Sequence, residues 1–154
     1  SAVSELMRRN LSCFNATERP LIATFRRINE LWKVYKGKGC RFYVAKVRVA
    51  SMRPIACIGL GSFHGLPTSE GLGEIRDLVV EGQYRGRGLG SKLLHLCILD
   101  AKKIGYQRLY LESSRHMTSA HRLFLRTGFR PVTDKARGDL AVSQDPSYFL
   151  MESL

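Results

Sequence analysis

A short segment rich in glycine and basic residues places the strongest constraint on the fold of this sequence. Residues 83–94 read QYRGRGLGSKLL, so three glycines alternate with other residues just before an apolar pattern begins. Apolar residues then recur at the spacings of three and four that are typical of a helix, at Leu89, Leu93, Leu94, Cys97, Ile98, Ala101 and Ile104. Residues 74–80, EIRDLVV, precede the segment and have the composition of a strand. The sequence therefore predicts a strand and a helix joined by a glycine-rich turn.

The glycines of this turn favour an anion as its ligand. Glycine lets the backbone approach a ligand closely, and the free N–H groups at the start of a helix attract negative charge. Arg85, Arg87 and Lys92 add positive charge at the same place. A pyrophosphate fits this arrangement, and the alternative is a tight turn that uses glycine for its geometry alone.

Two common phosphate-binding motifs do not match the segment. The dinucleotide fingerprint requires G-x-G-x-x-G, but Ser91 occupies the place of the third glycine. The nucleoside-triphosphate loop requires G-x-x-x-x-G-K-[ST], but Ser91 separates Gly90 from Lys92. The segment therefore belongs to neither motif.

The rest of the chain alternates between helical and strand patterns. The predicted elements are a helix at 17–35 capped by Thr17, strands at 41–50, 55–63 and 74–80, a helix from Leu89 that Gly105 ends, a strand at 108–112, a helix at 118–127 that Gly128 ends, and a strand at 148–153. This order predicts a mixed sheet with helices on both faces, in the α/β or α+β class. At this length we expect residues 1–154 to form a single domain.

The chain is strongly basic, with 25 Lys and Arg against 13 Asp and Glu and a formal charge of +12. Such a surplus attracts a polyanion, whether a nucleic acid, an acidic membrane surface or a phosphorylated cofactor, but it is also typical of a solvated basic surface. The sequence has no helix-turn-helix signature and no aromatic RNA-binding strand motif. A basic nucleic-acid-associated module remains an alternative reading.

The cysteines and the apolar runs narrow the class of protein further. None of the four cysteines pairs as C-x-x-C or has a histidine at metal-ligand spacing, so we expect no metal site. Cys57 and Cys97 lie in apolar patterns and are predicted core residues. No apolar run approaches the roughly 18 residues of a membrane helix, and we expect a cytoplasmic protein without membrane association.

Two motifs together resemble the GNAT superfamily of N-acetyltransferases. The segment from Gln83 to Gly88 fits the pattern Q/R-x-x-G-x-G/A of the acyl-CoA loop, and so does the segment from Arg85 to Gly90. Residues 120–129, AHRLFLRTGF, are similar to the family pattern A-x-x-L-Y-x-x-x-G-F. The strong match covers residues 74–132. The resemblance implies a central mixed, mostly antiparallel sheet flanked by helices, and an enzyme that uses acetyl-CoA as cosubstrate.

The resemblance also implies which residues hold acetyl-CoA. The strand before the loop splays from its neighbour and pairs with the pantetheine arm, while the loop N–H groups hold the pyrophosphate. Carried over to this chain, the cofactor-binding residues are Leu78, Val79, Val80, Arg85, Gly86, Arg87, Gly88, Leu89, Gly90, Ser91, His121 and Phe124.

The reaction that the resemblance implies is attack of an amine on a thioester, for which the amine must lose a proton. Glu74 lies early in the strand before the loop, where the family often has its base, and Glu112 in the next strand is a second candidate. Both could instead belong to an exposed polar face of the sheet. Two-residue alternation predicts that Asp77 faces away from Glu74, where it could pair with a basic helix.

One residue departs from the family pattern. Phe124 stands where the family often has a tyrosine that protonates the leaving thiolate, and phenylalanine has no proton to donate. Water or a nearby hydroxyl could serve instead, or the thiolate could leave unassisted. The third alternative is a catalytically weak acyl-CoA-binding sensor.

The sequence has no motif that identifies the acceptor. We expect a primary amine on a small molecule or a protein, and a substrate carried on nucleic acid is compatible with the charge of +12. Many members of the family dimerise through the C-terminal strand, so the resemblance suggests residues 148–153 as a homodimer contact.

Overall fold

The computed structural model of the 154-residue chain describes residues 1–14, 19–48, 52–132 and 147–154. Within them, a six-stranded sheet carries helices on both faces. The helices are α1 (Ala2–Leu11), α2 (Arg19–Ile28), α3 (Leu31–Tyr35), α4 (Leu89–Ile104) and α5 (Thr118–Thr127). The strands are β1 (Arg41–Lys46), β2 (Pro54–Ser62), β3 (Leu72–Val80), β4 (Arg108–Ser113), β5 (Arg130–Pro131) and β6 (Ser147–Met151).

The sheet is mixed and mostly antiparallel, which confirms the predicted fold class. Its strand order is β1-β2-β3-β4-β6-β5. The β3–β4 pair is parallel, and the other four strand pairs in the described part of the chain are antiparallel. A parallel pair requires a crossover, and α4 provides it between β3 and β4.

The two faces of the sheet have separate apolar clusters. Helices α4 and α5 cover the first face, where Leu94 and Phe124 pack against alternate strand residues such as Ile58 and Leu109. Helices α1 and α2 cover the second face, where their apolar residues pack on Cys57 and Val79. We call these the α4/α5 face and the α1–α3 face.

Local signals predicted α4 and α5 closely. Gly105 and Gly128 follow the two helices in left-handed backbone, with φ of 108° and 109°, and their N–H groups bond back to carbonyls of the last turn. Glycine adopts this conformation without steric strain, so it ends a helix efficiently. The predicted ends of both helices are confirmed.

The predicted helix at 17–35 is wrong in its continuity. The structure has two helices there, because Glu30, with φ of −127° and ψ of 24°, interrupts the helical backbone between α2 and α3. The proposed cap Thr17 lies outside the described residues. Sequence reasoning also missed α1, although Leu6, Met7 and Leu11 recur at helical spacing and are buried.

The predicted strands agree with the structure in their order and in the one hairpin that was predicted. Strands β1 and β2 form the expected hairpin, although β1 ends at Lys46 and residues 49–50 of the predicted strand lie outside the described residues. Strand β3 begins at Leu72, two residues before its predicted start. The two-residue β5 was not predicted, and its proline fits because β5 lies at the edge of the sheet.

A bulge interrupts the regular alternation of β3. Cys57 pairs with Val79 and Gly59 pairs with Arg76, so Asp77 and Leu78 together oppose the single residue Ile58. Asp77 has a left-handed φ of 57°. The prediction that Asp77 faces away from Glu74 is therefore wrong, because the extra residue turns Asp77 onto the α1–α3 face. Its predicted pairing with a basic helix is confirmed by an ion pair to Arg27 of α2 at 2.7 Å.

Two further sequence expectations concern the core and the membrane. Cys57 and Cys97 are fully buried, as predicted. None of the helices in the described ranges is long and apolar enough to span a bilayer.

Candidate functional site

Strands β3 and β4 separate halfway along their length. Their pairing runs from Leu72 opposite Arg108 to Ile75 opposite Leu111 and stops there, while β3 continues to Val80. The last residues of β3 therefore have one edge that β4 does not cover. A cleft of about 490 Å³ lies beside this free edge, between β3, the glycine loop and the start of α5.

The cleft brings together most of the predicted cofactor-binding residues. Those that line it are Leu78, Val79, Val80, Arg85, Gly86, Gly88, Leu89, Gly90 and Ser91. Its opposite wall is formed by α5 and the residues before it, including His116, Ser119 and Leu123. The three predicted residues that do not line it are Arg87, His121 and Phe124.

The glycine loop has the shape of an anion cradle. Gly86 and Gly88 have φ of 73° and 79°, and a Cβ added at either position would meet nothing within 4 Å. Gly88 is also the N-cap of α4, and no side chain caps the first turn of the helix. The first N–H groups of α4 therefore stay available, and the positive end of the helix dipole faces the cleft.

The arginines of the loop contact the protein. Arg85 donates from Nε to the carbonyl of Val80 at 2.9 Å and from Nη2 to Oδ1 of Asn10 at 3.4 Å. The guanidinium of Arg87 lies over the ring of Tyr84, 5.6 Å from its centroid. Arg122 and Arg126 of α5 also line the cleft and add positive charge.

Helix α1 supports the base of the loop, which sequence reasoning missed. Asn10 lines the cleft, accepts a hydrogen bond from the Gly82 N–H at 3.2 Å and donates one to the Leu6 carbonyl at 2.9 Å. Beside it, buried Glu81 accepts from Arg53 at 2.7 Å and from Arg9 of α1 at 2.5 Å. The hydrogen bond from Arg53 lowers the pKa of Glu81. The helical spacing of the N-terminal apolar residues was the signal that could have indicated α1.

Phe124 lies in the core, outside the lining of the cleft, and His121 of the same helix is half-buried. Phe124 is 5% exposed, with its ring against those of Phe129 and Phe149. The His121 ring packs on Phe149, and its Nε2 lies 3.0 Å from the Ser114 carbonyl. Burial lowers the pKa of His121, because the imidazolium is less well solvated there.

Glu74 lies on the α1–α3 face in surroundings that raise its pKa above the ordinary value. Its side chain is 13% exposed, and its Oε2 lies 3.7 Å from Nη1 of Arg76. Burial raises the pKa of Glu74, although the positive charges of Arg76 and Arg27 oppose the shift. A carboxylate with a raised pKa is a stronger base near neutral pH than an ordinary glutamate.

The structure places Glu112 on the same face of the sheet as Glu74, in the neighbouring strand β4. The Tyr110 hydroxyl donates to Oε1 of Glu112 at 3.1 Å, and Tyr110 pairs with Glu74 in the parallel register of β3 and β4. Burial, together with the negative charge of Glu112, raises the pKa of Tyr110. Tyr110 therefore stays protonated between the two carboxylates at neutral pH.

The sequence model of the acetyltransferase (GNAT) family matches residues 5–129. Among curated relatives, an uncharacterised N-acetyltransferase, YjgM of Escherichia coli, is 26% identical over 106 residues, which are 68% of this chain and 60% of YjgM. Aminoalkylphosphonate N-acetyltransferase of Salmonella typhimurium is 33% identical over 76 residues, which are 47% of this chain and 49% of the relative. Each alignment thus covers less than two thirds of the relative's own length.

Solved structures share the fold. A GNAT-family acetyltransferase from Staphylococcus aureus aligns with a TM-score of 0.77 at 18% identity, over 97% of this chain and 89% of the other. A GNAT-family acetyltransferase from Elizabethkingia anophelis with acetyl-CoA bound aligns with a TM-score of 0.58 at 24% identity, over 80% of this chain and 82% of the other. At these identities the likeness shows the fold.

Proposed function

Because the chain belongs to the acetyltransferase (GNAT) family, we propose that it transfers the acetyl group of acetyl-CoA to a primary amine of its acceptor. The family assignment confirms the resemblance of the two sequence motifs. The names of the curated relatives support an N-acetyltransferase activity, and one structural neighbour holds acetyl-CoA.

The cleft beside the free edge of β3 is the observation that carries this proposal. The open space around Gly86 and Gly88 and the uncapped start of α4 suit a pyrophosphate. The unpaired edge of residues 78–80 suits an extended arm with amide groups, which can add to a sheet as a short strand does. Pyrophosphate and an extended amide arm are the two recognisable parts of coenzyme A.

Different parts of the cleft contact the phosphates and the extended arm of the cosubstrate. Backbone N–H groups from residues 85–91 hold the phosphates, and Arg122 and Arg126 supply positive charge from the opposite wall. The side chains of Leu78 and Val80 pack against the apolar cluster of the α4/α5 face, which fixes the strand edge that the arm follows. Acetyl-CoA supplies the thioester.

Glu74 is the proposed base. The amine nitrogen attacks the thioester carbonyl, the carbon–sulfur bond breaks, and the ammonium proton passes to Glu74 directly or through water. The raised pKa of Glu74 suits this role, because a proton acceptor works best when its pKa is close to the working pH. Glu112, held by Tyr110 on the same sheet face, is the second candidate.

The leaving thiolate does not depend on residue 124 in this proposal. Phe124 lies in the core, outside the lining of the cleft, and has no acidic proton. A thiol has a pKa of about 8.5, so a thiolate is a tolerable leaving group without a donor. Protonation then follows from water or from a proton returned by Glu74.

Thermal unfolding in the presence of candidate ligands tests the cosubstrate. A ligand at about 100 times its Kd adds roughly 2.7 kcal/mol to the free energy of unfolding. We expect acetyl-CoA to raise Tm by several degrees, and ATP, NAD and a short RNA to leave it unchanged. A shift with RNA alone would favour the basic nucleic-acid module and count against the proposed cofactor cleft.

Thiol release from acetyl-CoA in the presence of single amines tests the reaction. We expect at least one primary amine to release free thiol faster than water does. A protein that binds acetyl-CoA but turns over no amine would instead be the catalytically weak sensor that Phe124 suggests.

A further inference from the structure

A buried charged residue occupies a strained position in the strand that borders the cleft. Asp77 is one of three non-glycine residues with a positive φ in the described part of the chain, and its side chain is 0% exposed. Left-handed backbone is unfavourable for residues with a side chain, although aspartate tolerates it better than most. Such strain persists only where the surroundings hold it, and it concentrates at functional sites.

Three side chains from the α1–α3 face hold the carboxylate of Asp77. Arg27 donates to both of its oxygens, to Oδ1 at 2.7 Å and to Oδ2 at 3.1 Å. The Tyr35 hydroxyl donates to Oδ2 at 2.6 Å, and the Thr24 hydroxyl donates to Oδ1 at 3.2 Å. We call Asp77 with these three residues the Asp77 clamp.

The clamp acts on the part of β3 that borders the cleft. The bulge at Asp77 and Leu78 begins two residues after the last β3–β4 pair, Ile75 with Leu111. From Leu78 onward, Leu78 and Val80 pack against the α4/α5 cluster, whereas Val79 faces the α1–α3 cluster. The backbone at Asp77 therefore sets both where β3 leaves β4 and how the cleft-lining residues are aimed.

The position beneath Tyr35 is also adapted to the clamp. A Cβ at Gly59 of β2 would lie 2.2 Å from the Tyr35 hydroxyl oxygen and 2.3 Å from the ring carbon that carries it. Only glycine at this position lets the ring lie against the strand and reach Asp77. The Arg76 guanidinium lies over the same ring, with its central carbon 5.3 Å from the centroid.

We propose that Asp77 is a positioning residue, which holds the β3 bulge through α2 and α3 so that the free edge of residues 78–80 is shaped to receive the cosubstrate. The inference rests on the proposed function, because it takes the cleft as the acetyl-CoA site. It assigns to α2 and α3 a part in cosubstrate binding, although none of the three clamp partners lines the cleft.

A buried ion pair can also exist without any such role. Burying charges is costly, and a residue like Asp77 could contribute to stability or to fold specificity alone. The two explanations differ in what a partial loss of the clamp does. A structural role lowers Tm and leaves the binding of coenzyme A by the folded protein unchanged, whereas a positioning role weakens that binding as well.

The matched pair Tyr35→Phe and Tyr106→Phe separates these explanations. Each removes one hydroxyl from a buried ring, at Tyr35 the donor to Asp77 and at Tyr106 the donor to the Gly39 carbonyl at 3.1 Å, away from the bulge. We expect Tyr35→Phe to raise the Kd of coenzyme A in calorimetry by about three- to tenfold, the factor of one lost hydrogen bond. Tyr106→Phe should leave that Kd within about twofold of the wild-type value.

Steady-state kinetics adds a readout that a structural role would not move. Tyr35→Phe should raise KM for acetyl-CoA and leave kcat nearly unchanged, because the change weakens ground-state and transition-state binding alike. The inference would be overturned if Tyr35→Phe had the same Kd and the same KM as the wild-type protein. It would also be overturned if Tyr106→Phe weakened coenzyme A binding as much as Tyr35→Phe does.

Substitutions at Asp77 itself separate the contribution of its left-handed backbone from the contribution of its side chain. Asparagine and glycine both tolerate the left-handed backbone, but asparagine keeps one accepting oxygen and replaces the other oxygen, with the negative charge, by an NH2 donor. We expect Asp77→Asn to weaken coenzyme A binding by about tenfold or more, and Asp77→Gly to weaken it further. Wild-type affinity in Asp77→Gly would contradict the clamp. If the wild-type protein binds no coenzyme A, the proposed function fails instead, and that result is distinguishable from a failure of the clamp.

Discussion

The two faces of the sheet are built from different chemistry. The α4/α5 face is an apolar cluster in which aliphatic and aromatic side chains of α4, α5 and alternate strand residues interlock. The α1–α3 face has a smaller apolar cluster and, beside it, the nearly buried charged residues Arg27, Glu74, Arg76 and Asp77. The cleft lies where the two faces meet, at the free edge of β3.

The difference shows which interactions hold the residues of each face in place. On the α4/α5 face, close packing of apolar groups holds the helices, and the glycine loop that precedes α4 is supported by hydrogen bonds to Asn10 of α1. On the α1–α3 face, hydrogen bonds join residues far apart in sequence, such as Thr24 and Asp77, which are 53 positions apart. Positioned charges are useful for moving protons, so we place the chemistry on the α1–α3 face and the binding of the cosubstrate at its border.

Replacement of the proposed base should have the largest effect on turnover. Glu74→Gln keeps the size of the side chain and removes its ability to accept a proton, so we expect kcat to fall by about 10² to 10⁴. Acetyl-CoA affinity should stay unchanged, because Glu74 does not line the cleft. Steady-state kinetics and calorimetry on the same preparation measure the two quantities.

The pH dependence of the rate checks the same assignment. A base with a raised pKa loses activity as the pH falls through that pKa, so the acid limb of kcat/KM should lie above the ordinary pKa of glutamate. Glu74→Gln should abolish this limb, and Glu112→Gln should keep it. The opposite result would transfer the role of base to Glu112.

A side chain in the glycine loop should have the next largest effect, this time on binding. Gly88→Val fills the open space before α4 and forces valine into a backbone with φ of 79°, so we expect coenzyme A affinity to fall by at least about 100-fold. The left-handed backbone also lowers the free energy of unfolding by about 1–2 kcal/mol. Calorimetry and urea unfolding measure these two effects.

Gly82→Ala is the matched control for the loop. Gly82 lies at the start of the same loop, a Cβ there meets nothing within 4 Å, and its φ is not left-handed. Alanine keeps the backbone N–H that donates a hydrogen bond to Oδ1 of Asn10. We expect wild-type affinity from this variant, and weakened binding in Gly82→Ala would mean that the loop tolerates no substitution for reasons other than the anion cradle.

The same contrast explains what could be predicted from the sequence. The glycine loop, α4 and α5 were predicted well because their signals are local, namely helical spacing of apolar residues and glycines at the helix ends. The Asp77 clamp was not predictable in detail, because its geometry depends on an extra residue in β3 and on partners 42 to 53 positions away. Strict alternation misplaced Asp77 for this reason.

The N-terminal helices show a second limit of sequence patterns. Residues 17–35 keep a helical spacing of apolar residues across the break at Glu30, so the pattern alone gives no sign that the backbone turns. Helix α1 has a clear apolar stripe, but Asn10, which supports the glycine loop through hydrogen bonds with Gly82 and Arg85, is polar and lies outside that pattern. All of the predicted cofactor-binding and catalytic roles remain predictions, and the side chains of Arg85, Arg87, His121 and Phe124 mostly contact protein.

Two glycines of β2 allow a rigid part of the α1–α3 face to be compared with a flexible part. A Cβ at Gly59 would meet the Tyr35 ring, whereas a Cβ at Gly61 would meet the flexible end of Arg76, 2.0 Å from its Nη2. We expect Gly59→Ala to lower the free energy of unfolding by about 1–3 kcal/mol, because the ring has no other place in the packed face. Gly61→Ala should have a smaller effect in the same urea titration, and equal losses would show that Arg76 is held as firmly as Tyr35.

A polar contact between β1 and α4, at the margin of the α4/α5 face, should have the smallest effect. The hydroxyl of Tyr43 in β1 donates a hydrogen bond to Asp100 of α4. Tyr43→Phe keeps the ring against the apolar cluster and removes only this bond, so the free energy of unfolding at neutral pH should fall by about 0.5–1.5 kcal/mol. A loss well above that range would mean that the helix depends on polar contacts, as the α1–α3 face does, and the contrast between the two faces would not hold.

The effect of Tyr43→Phe on stability should also depend on pH in the alkaline range, in a direction set by the pKa of Tyr43. Burial, with the hydrogen bond to Asp100, raises the pKa of Tyr43 from 10.0 to about 12. A group whose pKa is raised by folding contributes stability below its unfolded pKa and loses that contribution as the pH rises through the folded value. The stability difference between wild type and Tyr43→Phe should therefore be constant up to about pH 10 and shrink between pH 10 and 12. A difference that stays constant across this range would mean that Tyr43 ionises at the same pH in the folded and the unfolded chain, and that its contact with Asp100 contributes nothing to holding α4 on the sheet.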